Sequence, residues 1–228
     1  MPRPSTEASV APGINDPYFE NPDVATWAQR FETEQREVFA HRDEILDDLR
    51  VRPGMTVADI GSGTGLFTIA IARALRDTGV VMALDILPAF LDETDARAER
   101  EGLTNVRTIR SREDSVDLPP EILDLAFVCD TYHHFEYPQA MLRSIYRALR
   151  PGGRLVVIDF ELLPGPRYGW LVEHVRVDRE TVDAEILRAG FVPSQLTPRA
   201  GYLRENYWLE YRKPDSRKEP TEPTRAGT

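Results

Sequence analysis

The sequence of 228 residues has one cysteine, no long apolar run and fewer basic than acidic side chains. The single residue Cys129 excludes an internal disulfide and a zinc site built from several cysteines. Apolar runs such as residues 155–158 are far shorter than the ~20 apolar residues that a membrane helix needs. The first 13 residues also lack the apolar stretch of a secretory signal. We therefore expect a cytoplasmic protein that does not cross a membrane.

The charge balance excludes two classes of partner. Lys and Arg number 28 against 38 Asp and Glu, which gives a net charge of −10. A chain this acidic is repelled by phosphate groups, so nucleic acid and anionic membranes are not expected as partners. The hydrophobic fraction of 41% is enough for a packed core, and the length suits one domain.

The chain divides into two tails and one domain. Residues 1–17 and 213–228 are rich in proline and polar residues, so we interpret them as flexible tails. Residues 18–212 then form a single domain. Within it, the apolar spacing over residues 23–50 predicts one long helix, broken at most once, that Pro53 and Gly54 follow.

After this helix, strand and helix patterns alternate. The predicted strands are residues 55–60, 80–86, 106–110, 122–129, 154–160, 191–196 and 207–212, and the predicted helices are residues 66–76, 88–101, 137–150 and 179–189. Such alternation predicts an α/β fold, a mainly parallel sheet with helices on both faces. The last two strands have no helix between them, and a turn near residues 199–201 lets them pair antiparallel at one edge.

The strongest motif is the segment VADIGSGTG at residues 57–65, between the first strand and the next helix. Ligands of open parallel sheets bind at such strand ends, and glycines allow the backbone to approach them closely. A dinucleotide fingerprint requires a third glycine at position 66, where Leu66 stands. This spacing argues against an NAD-dependent oxidoreductase.

The motif, with an acidic residue two positions before its first glycine, resembles that of the class I S-adenosylmethionine-dependent methyltransferases. The resemblance covers residues 23–212 and is densest over 55–160, the expected cofactor-binding core of a Rossmann-like seven-stranded sheet. It is closest to the small-substrate group that includes the quinone-biosynthesis and arsenite enzymes; a lone cysteine argues against arsenite. It implies S-adenosylmethionine as cofactor, and the residues that it places against the methionine part are Asp59, Gly61, Ser62, Gly63 and Gly65.

Two further segments are expected to hold the nucleoside part of the cofactor. Asp85 ends the second strand, where a carboxylate can accept hydrogen bonds from a ribose, and Ile86 follows it. The alternative role of Asp85 is to cap the next helix. In the family, a polar loop after the third strand contacts the adenine, which points to Glu113 or Asp114. The alternative for this loop is a solvated charged turn.

The segment FVCDTYHHF at residues 127–135 ends the fourth strand, beside the expected methyl group. His133 and His134 are candidate general bases, because histidine titrates near neutral pH; alternatively, they shape the wall of the site. Asp130, counted among the cofactor-binding residues, and Tyr132 are also candidates to orient a substrate.

The candidate ligands for a metal site are His133, His134, His174, Asp159 and Glu161. However, adjacent histidines in an extended segment tend to point apart, so we predict no metal.

The N-terminal region, residues 18–50, is expected to cover the cofactor, with Tyr18, Phe19 and Trp27 as an apolar lid. The alternative for Trp27 and Phe31 is a place in the core, since they lie on one apolar stripe of a helix.

The resulting hypothesis is methyl transfer to a small-molecule acceptor by in-line displacement. A protein or peptide methyltransferase and a non-catalytic cofactor-binding module stay open as alternatives. The sequence leaves the oligomeric state undetermined.

Overall fold

The computed structural model describes residues 6–163, 174–196 and 201–215. These residues form a seven-stranded sheet of order β3-β2-β1-β4-β5-β7-β6, in which the first five strands are parallel and β7 pairs antiparallel with both β5 and β6. The strands are β1 (Thr56–Ile60), β2 (Val80–Asp85), β3 (Val106–Arg110), β4 (Leu123–Cys129), β5 (Leu149–Phe160), β6 (Val192–Pro193) and β7 (Asn206–Arg212). The predicted α/β class with an antiparallel edge is confirmed.

Helices cover both faces of this sheet. Their bounds are α1 (Asp16–Glu20), α2 (Val24–Phe31), α3 (Glu37–Ala40), α4 (Arg42–Leu49), α5 (Leu66–Leu75), α6 (Pro88–Arg100), α7 (Pro138–Ala148) and α8 (Arg179–Arg188). The strands alternate their side chains between two apolar clusters, so Val57 packs with α4 and α5 while Ala58 packs with α7 and α8. Burial on both faces explains why the central strands are almost wholly apolar.

The prediction of one long helix over residues 23–50 is wrong. Three helices occupy this region, because the chain turns at residues 32–36 and again at His41. Thr33 stabilises the first turn, since its hydroxyl accepts a hydrogen bond from the Gln35 N–H at 3.1 Å. The break places Arg36 at the sheet edge instead of on a helix surface.

Two predicted strand boundaries differ from the structure. Strand β5 begins at Leu149 rather than at residue 154, because Leu149 already pairs with Leu123 before a register shift. Strand β6 is only two residues long, whereas residues 191–196 were expected to be extended. The predicted turn at residues 199–201 falls mostly outside the described residues.

The N-terminal stretch from residue 6 onward is attached to the body, unlike the expected free tail. The Glu136 carboxylate accepts hydrogen bonds from the Ser9 hydroxyl at 2.7 Å and the Gly13 N–H at 3.2 Å. The Val10 N–H also donates to the Glu136 carbonyl at 2.9 Å. The predicted C-terminal tail falls largely outside the described residues. Among the described helices, each is too short or too polar to extend across a lipid bilayer.

Candidate active site

The carboxyl ends of β1, β2 and β4 meet at one edge of the sheet and open into one cavity. Residues from the glycine loop, the strand ends and the N-terminal helices share its wall. The lining includes Asn15, Tyr18, Phe31, Arg36, Asp59, Gly61, Ser62, Gly63, Asp85, Ile86, Phe90, Ser111, Glu113, Asp130, Thr131, His134, Phe135 and Met141. A cavity at this position agrees with the rule that ligands of parallel sheets bind at the strand ends.

The three glycines of the loop have different roles. All three have positive φ, with values of +70° at Gly61, +51° at Gly63 and +82° at Gly65. A Cβ on Gly61 would lie 2.2 Å from the Thr131 side chain, and one on Gly65 would lie 2.7 Å from the Thr94 hydroxyl. These two glycines allow tight internal packing.

Gly63 alone faces space. A Cβ there would meet, among the described residues, only the Phe31 ring at 4.0 Å. Gly63 lines the cavity, whereas Gly65 does not and instead precedes α5. Gly65 therefore packs the loop against α6, and its contact with the cofactor stays a prediction.

Asp85 fixes the loop from the neighbouring strand. Its carboxylate accepts hydrogen bonds from the Gly63 N–H at 2.9 Å and the Leu87 N–H at 3.0 Å. Burial raises its pKa to about 6, against the opposing effect of these N–H donors. The capping alternative for Asp85 is wrong, because Leu87 is the N-cap of α6 and no side chain of the described residues caps this helix; the Asp85 side chain instead lines the cavity.

Asp59 is buried at the end of β1 and also lines the cavity. It accepts a hydrogen bond from the Thr68 hydroxyl at 2.6 Å, and its pKa is raised to about 6, chiefly by burial. Two acidic groups with weakened ionisation thus flank the glycine loop. An ammonium group or a set of hydroxyl donors in the cavity would favour their charged forms.

The cavity fits the cofactor that the sequence implies. The Ser62 hydroxyl is buried at the loop and has no hydrogen-bond partner within the described part of the chain. Together with the open space at Gly63, this leaves a polar group and bare backbone facing the cavity. A ligand with both polar and apolar parts satisfies such a wall.

The two residues predicted on the adenine side differ in position. Glu113 lines the cavity, as does Ile86, whereas Asp114 does not. The Asp114 carboxylate instead accepts a hydrogen bond from the Arg112 Nε at 2.8 Å. Asp114 therefore stabilises its own turn, and its contact with the cofactor stays a prediction.

Aromatic side chains of the N-terminal helices cover the glycine loop. Tyr18 and Phe31 line the cavity, and Trp27 lies behind them with ring centroids 4.5 Å from Tyr18 and 5.6 Å from Phe31. Phe19, expected in the lid, is 46% exposed and points elsewhere. The cover is attached to the loop by Thr64, whose hydroxyl donates to the Glu32 carboxylate at 2.5 Å.

Arg36, which the sequence analysis missed, forms a charged wall of the cavity with Asp130. The Asp130 carboxylate also accepts a hydrogen bond from the Asn206 side-chain amide at 2.6 Å. Burial raises the pKa of Asp130, while the Arg36 guanidinium opposes this effect. Arg36 and Asn206 are 170 positions apart and far from the motifs, so no local pattern indicated them.

The two candidate bases differ in position. His134 lines the cavity, and its Nε2 lies 3.2 Å from the Tyr18 hydroxyl. His133 is buried behind it, with Nδ1 2.7 Å from the Asp159 carboxylate. Burial lowers the pKa of His134 well below its usual range, with help from His133 and His174. His134 is therefore neutral at pH 7 and a weak base.

The segment that holds these histidines is not extended. Residues Tyr132–His134 form a 3₁₀ turn, which places the rings of His133 and His134 4.2 Å apart and brings His174 beside both. The expectation that adjacent histidines point apart is wrong for this reason. Tyr132 is fully buried and donates to Glu185 at 2.8 Å, so it does not orient a substrate.

The strand order and the glycine loop define the class of fold as Rossmann-like. A family model of the methyltransferase domain matches residues 58–155. The ubiquinone/menaquinone biosynthesis C-methyltransferase UbiE of Vibrio parahaemolyticus is 27% identical over 175 residues, which covers 64% of this chain and 68% of the relative. The chain therefore contains a methyltransferase domain and resembles the class I S-adenosylmethionine-dependent methyltransferases, their quinone-biosynthesis members among them.

Solved structures share the fold. A SAM-dependent methyltransferase from Aquifex aeolicus superposes with a TM-score of 0.69 at 22% identity, over 83% of this chain and 98% of that one. The [4+2]-cyclase SpnF superposes with a TM-score of 0.62 at 19% identity, over 77% and 81% of the two chains. Because one of these neighbours is named a cyclase, the fold by itself does not specify the reaction.

Proposed function

We propose that the chain methylates a small, largely apolar acceptor, with quinone-type aromatic rings as the first class to test. The observation that carries this proposal is the composition of one cavity. The glycine loop and two acidic residues form one side, and His134, Phe135 and Met141 belong to the other. The relatives named for C-methylation in ubiquinone and menaquinone biosynthesis support the same acceptor class.

When bound, S-adenosylmethionine supplies an electrophilic methyl group on a sulfonium. We propose that the Gly63 backbone and Ser62 hold its methionine part together with Asp59. Asp85 would accept hydrogen bonds from the ribose, with Ile86 and Glu113 beside the adenine. These assignments place one ligand along the ends of β1 and β2 and leave the end of β4 for the acceptor.

The residues of this chain then align the acceptor and exclude water from the site. Tyr18 and Phe31 cover the cavity, and Arg36 and Asp130 supply its charged wall. His134 lines this side of the cavity as a neutral ring, and its Nε2 lies beside the Tyr18 hydroxyl. Such a group positions a hydroxyl or carbonyl of the acceptor more effectively than it removes a proton.

The covering helices favour a small acceptor over a protein. The aromatic side chains of α1 and α2 lie between the glycine loop and the solvent. Glu32, which follows α2, contacts the Thr64 hydroxyl and forms an ion pair with Arg97 at 2.8 Å. A polypeptide acceptor would have to displace these contacts to reach the β4 end. A small molecule needs only the existing cavity.

The test is product formation from a panel of acceptors. Purified protein is incubated with S-adenosylmethionine and quinols, phenols, thiols or basic peptides, and S-adenosylhomocysteine and the methylated product are measured by mass spectrometry. We expect turnover with the aromatic small molecules. Turnover with peptides only, or saturable cofactor binding without turnover on any arm, would contradict the proposal and favour one of the alternatives.

A further inference from the structure

Three of the chain's four histidines converge at the β4–β5 end of the cavity, although they come from two distant segments. One ring nitrogen from each of His133, His134 and His174 lies within 4.8 Å of the others. The fourth histidine, His41, lies elsewhere beside Glu44 and Tyr202. From this geometry we propose that the three imidazoles bind a divalent first-row transition metal of the zinc type.

The spacing suits such an ion. Ligands at ~2.0–2.1 Å from a tetrahedral zinc are ~3.3 Å apart. The Nε2 atoms of His133 and His174 are already 3.2 Å apart. The ring of His134 lies 4.2 Å and 5.0 Å, centroid to centroid, from the other two, and one of its nitrogens is within 4.8 Å of theirs.

Asp159 orients one of the ligands as metal sites require. Histidine ligands commonly donate their second N–H to a carboxylate, which fixes the tautomer and raises the basicity of the coordinating nitrogen. The His133 Nδ1 lies 2.7 Å from the Asp159 carboxylate, and this carboxylate also accepts from the His133 backbone N–H at 3.0 Å. The His133 Nε2 is thereby presented to the cluster as a lone-pair donor.

His134 supplies an independent observation that points to a metal ligand. Its Nε2 interacts with the Tyr18 hydroxyl, and its Nδ1 is buried with no hydrogen-bond partner among the residues that the structure describes. A buried polar atom without a partner is costly, and an ion beside it removes that cost. The unsatisfied nitrogen is therefore assigned as the third ligand.

Three protein ligands leave one coordination position open, as in catalytic zinc sites. Because His134 also lines the cavity, that position is open to water or to an oxygen or sulfur atom of an acceptor. This last step rests on the proposed function, whereas metal binding itself does not. The two are separable by experiment.

The test is titration of chelator-treated protein with Co²⁺, followed by visible absorption, and with Zn²⁺ in competition. We expect one saturable equivalent of cobalt with the intense bands of low coordination number, displaced by zinc. His174→Ala and His134→Ala are expected to abolish these bands. Asp159→Asn is expected to weaken binding roughly 10–100-fold, since it removes only the supporting carboxylate.

His41→Ala is the matched control and keeps full binding. Each variant is also titrated with S-adenosylhomocysteine by calorimetry, which shows that it is folded and that the cofactor site is intact. If His134→Ala does not fold, the half-buried His174 provides the test through His174→Gln. Absence of saturable cobalt binding in the wild-type protein, or equal loss in His41→Ala, overturns the metal site without affecting the proposed methyl transfer.

Discussion

The two halves of the cavity are built in different ways. The half at the ends of β1 and β2, proposed to hold the cofactor and called the cofactor half, comes from the continuous segment 59–65 and the nearby Asp85–Ile86 pair. Its shape depends on backbone conformation. The half at the ends of β4 and β5, the acceptor half, gathers Arg36, Asp130, His134, His174 and Asn206 through side chains. Substitutions in the first half should therefore act by changing backbone conformation. Substitutions in the second half should remove individual side-chain contacts.

The largest expected effect is on the stability of the cofactor half. Gly61→Ala puts a Cβ 2.2 Å from Thr131 at a φ of +70°. Left-handed strain of ~1–2 kcal/mol and a packing clash of ~1–3 kcal/mol together should lower the free energy of unfolding by about 2–5 kcal/mol. Urea unfolding measures this change.

The matched control is Gly102→Ala. Gly102 has a similar φ of +65°, but a Cβ there meets no atom of the described chain within 4 Å. Only the strain of ~1–2 kcal/mol remains at this position. Equal destabilisation of the two variants would show that the Thr131 contact is unimportant.

The next effect separates cofactor binding from folding. Asp85→Asn removes the charge that accepts from the Gly63 and Leu87 N–H groups. The variant also weakens the proposed hydrogen bond between the ribose and this carboxylate. Loss of a hydrogen bond to a charged group costs ~1.5–3 kcal/mol, so S-adenosylhomocysteine should bind roughly 10–100-fold more weakly in calorimetry. Asp92→Ala, an exposed position on α6, should leave the affinity unchanged. Unaltered affinity in Asp85→Asn would refute the ribose assignment.

A pH dependence of similar or smaller size follows from Asp59. Its pKa is raised from 3.8 to about 6 by burial, so the folded chain binds this proton more tightly than the unfolded chain does. The contribution of Asp59 to the free energy of unfolding therefore falls as pH rises from about 4 to about 6. Relative to wild type, Asp59→Asn should gain on the order of 2 kcal/mol across that window. Parallel pH curves for the two proteins in urea unfolding would contradict this.

The smallest expected effect concerns the N-terminal attachment. Glu136→Gln weakens the acceptor for the Ser9 hydroxyl and Gly13 N–H. We expect the free energy of local opening to fall by ~0.5–1.5 kcal/mol and proteolysis near residues 6–15 to become faster. The free energy of global unfolding should change little. Gln139→Ala, a substitution on α7 that leaves the Glu136 carboxylate intact, is the control. Unchanged cleavage rates in Glu136→Gln would show that other contacts hold the segment.

The contrast between the two halves of the cavity also explains which parts of the fold and site could be predicted from the sequence. The glycine loop, Asp85 and the strand–helix alternation are local patterns, and the structure places them at one edge of a parallel sheet as expected. The break after Phe31 was missed because it depends on a short turn inside an otherwise periodic stretch. It is this break that brings Arg36 to Asp130.

The acceptor half could not be predicted because its members are distant in sequence. His174 reaches His133 across 41 positions, and Asn206 reaches Asp130 across 76. Only the adjacent pair His133–His134 gave a local signal, and its 3₁₀ turn reversed the expected divergence of the two rings. Packing of the completed sheet, rather than local propensity, sets these contacts.

The central claim is that bare backbone at Gly63 receives the cofactor, and calorimetric titration with S-adenosylhomocysteine tests it most directly. Gly63→Val fills space that is otherwise open to the cavity, while Gly102→Val introduces comparable backbone strain away from it. We predict saturable one-to-one binding in the wild-type protein and in Gly102→Val, and no measurable binding in a folded Gly63→Val. Undiminished binding in Gly63→Val, or no binding in the wild-type protein, would contradict the account.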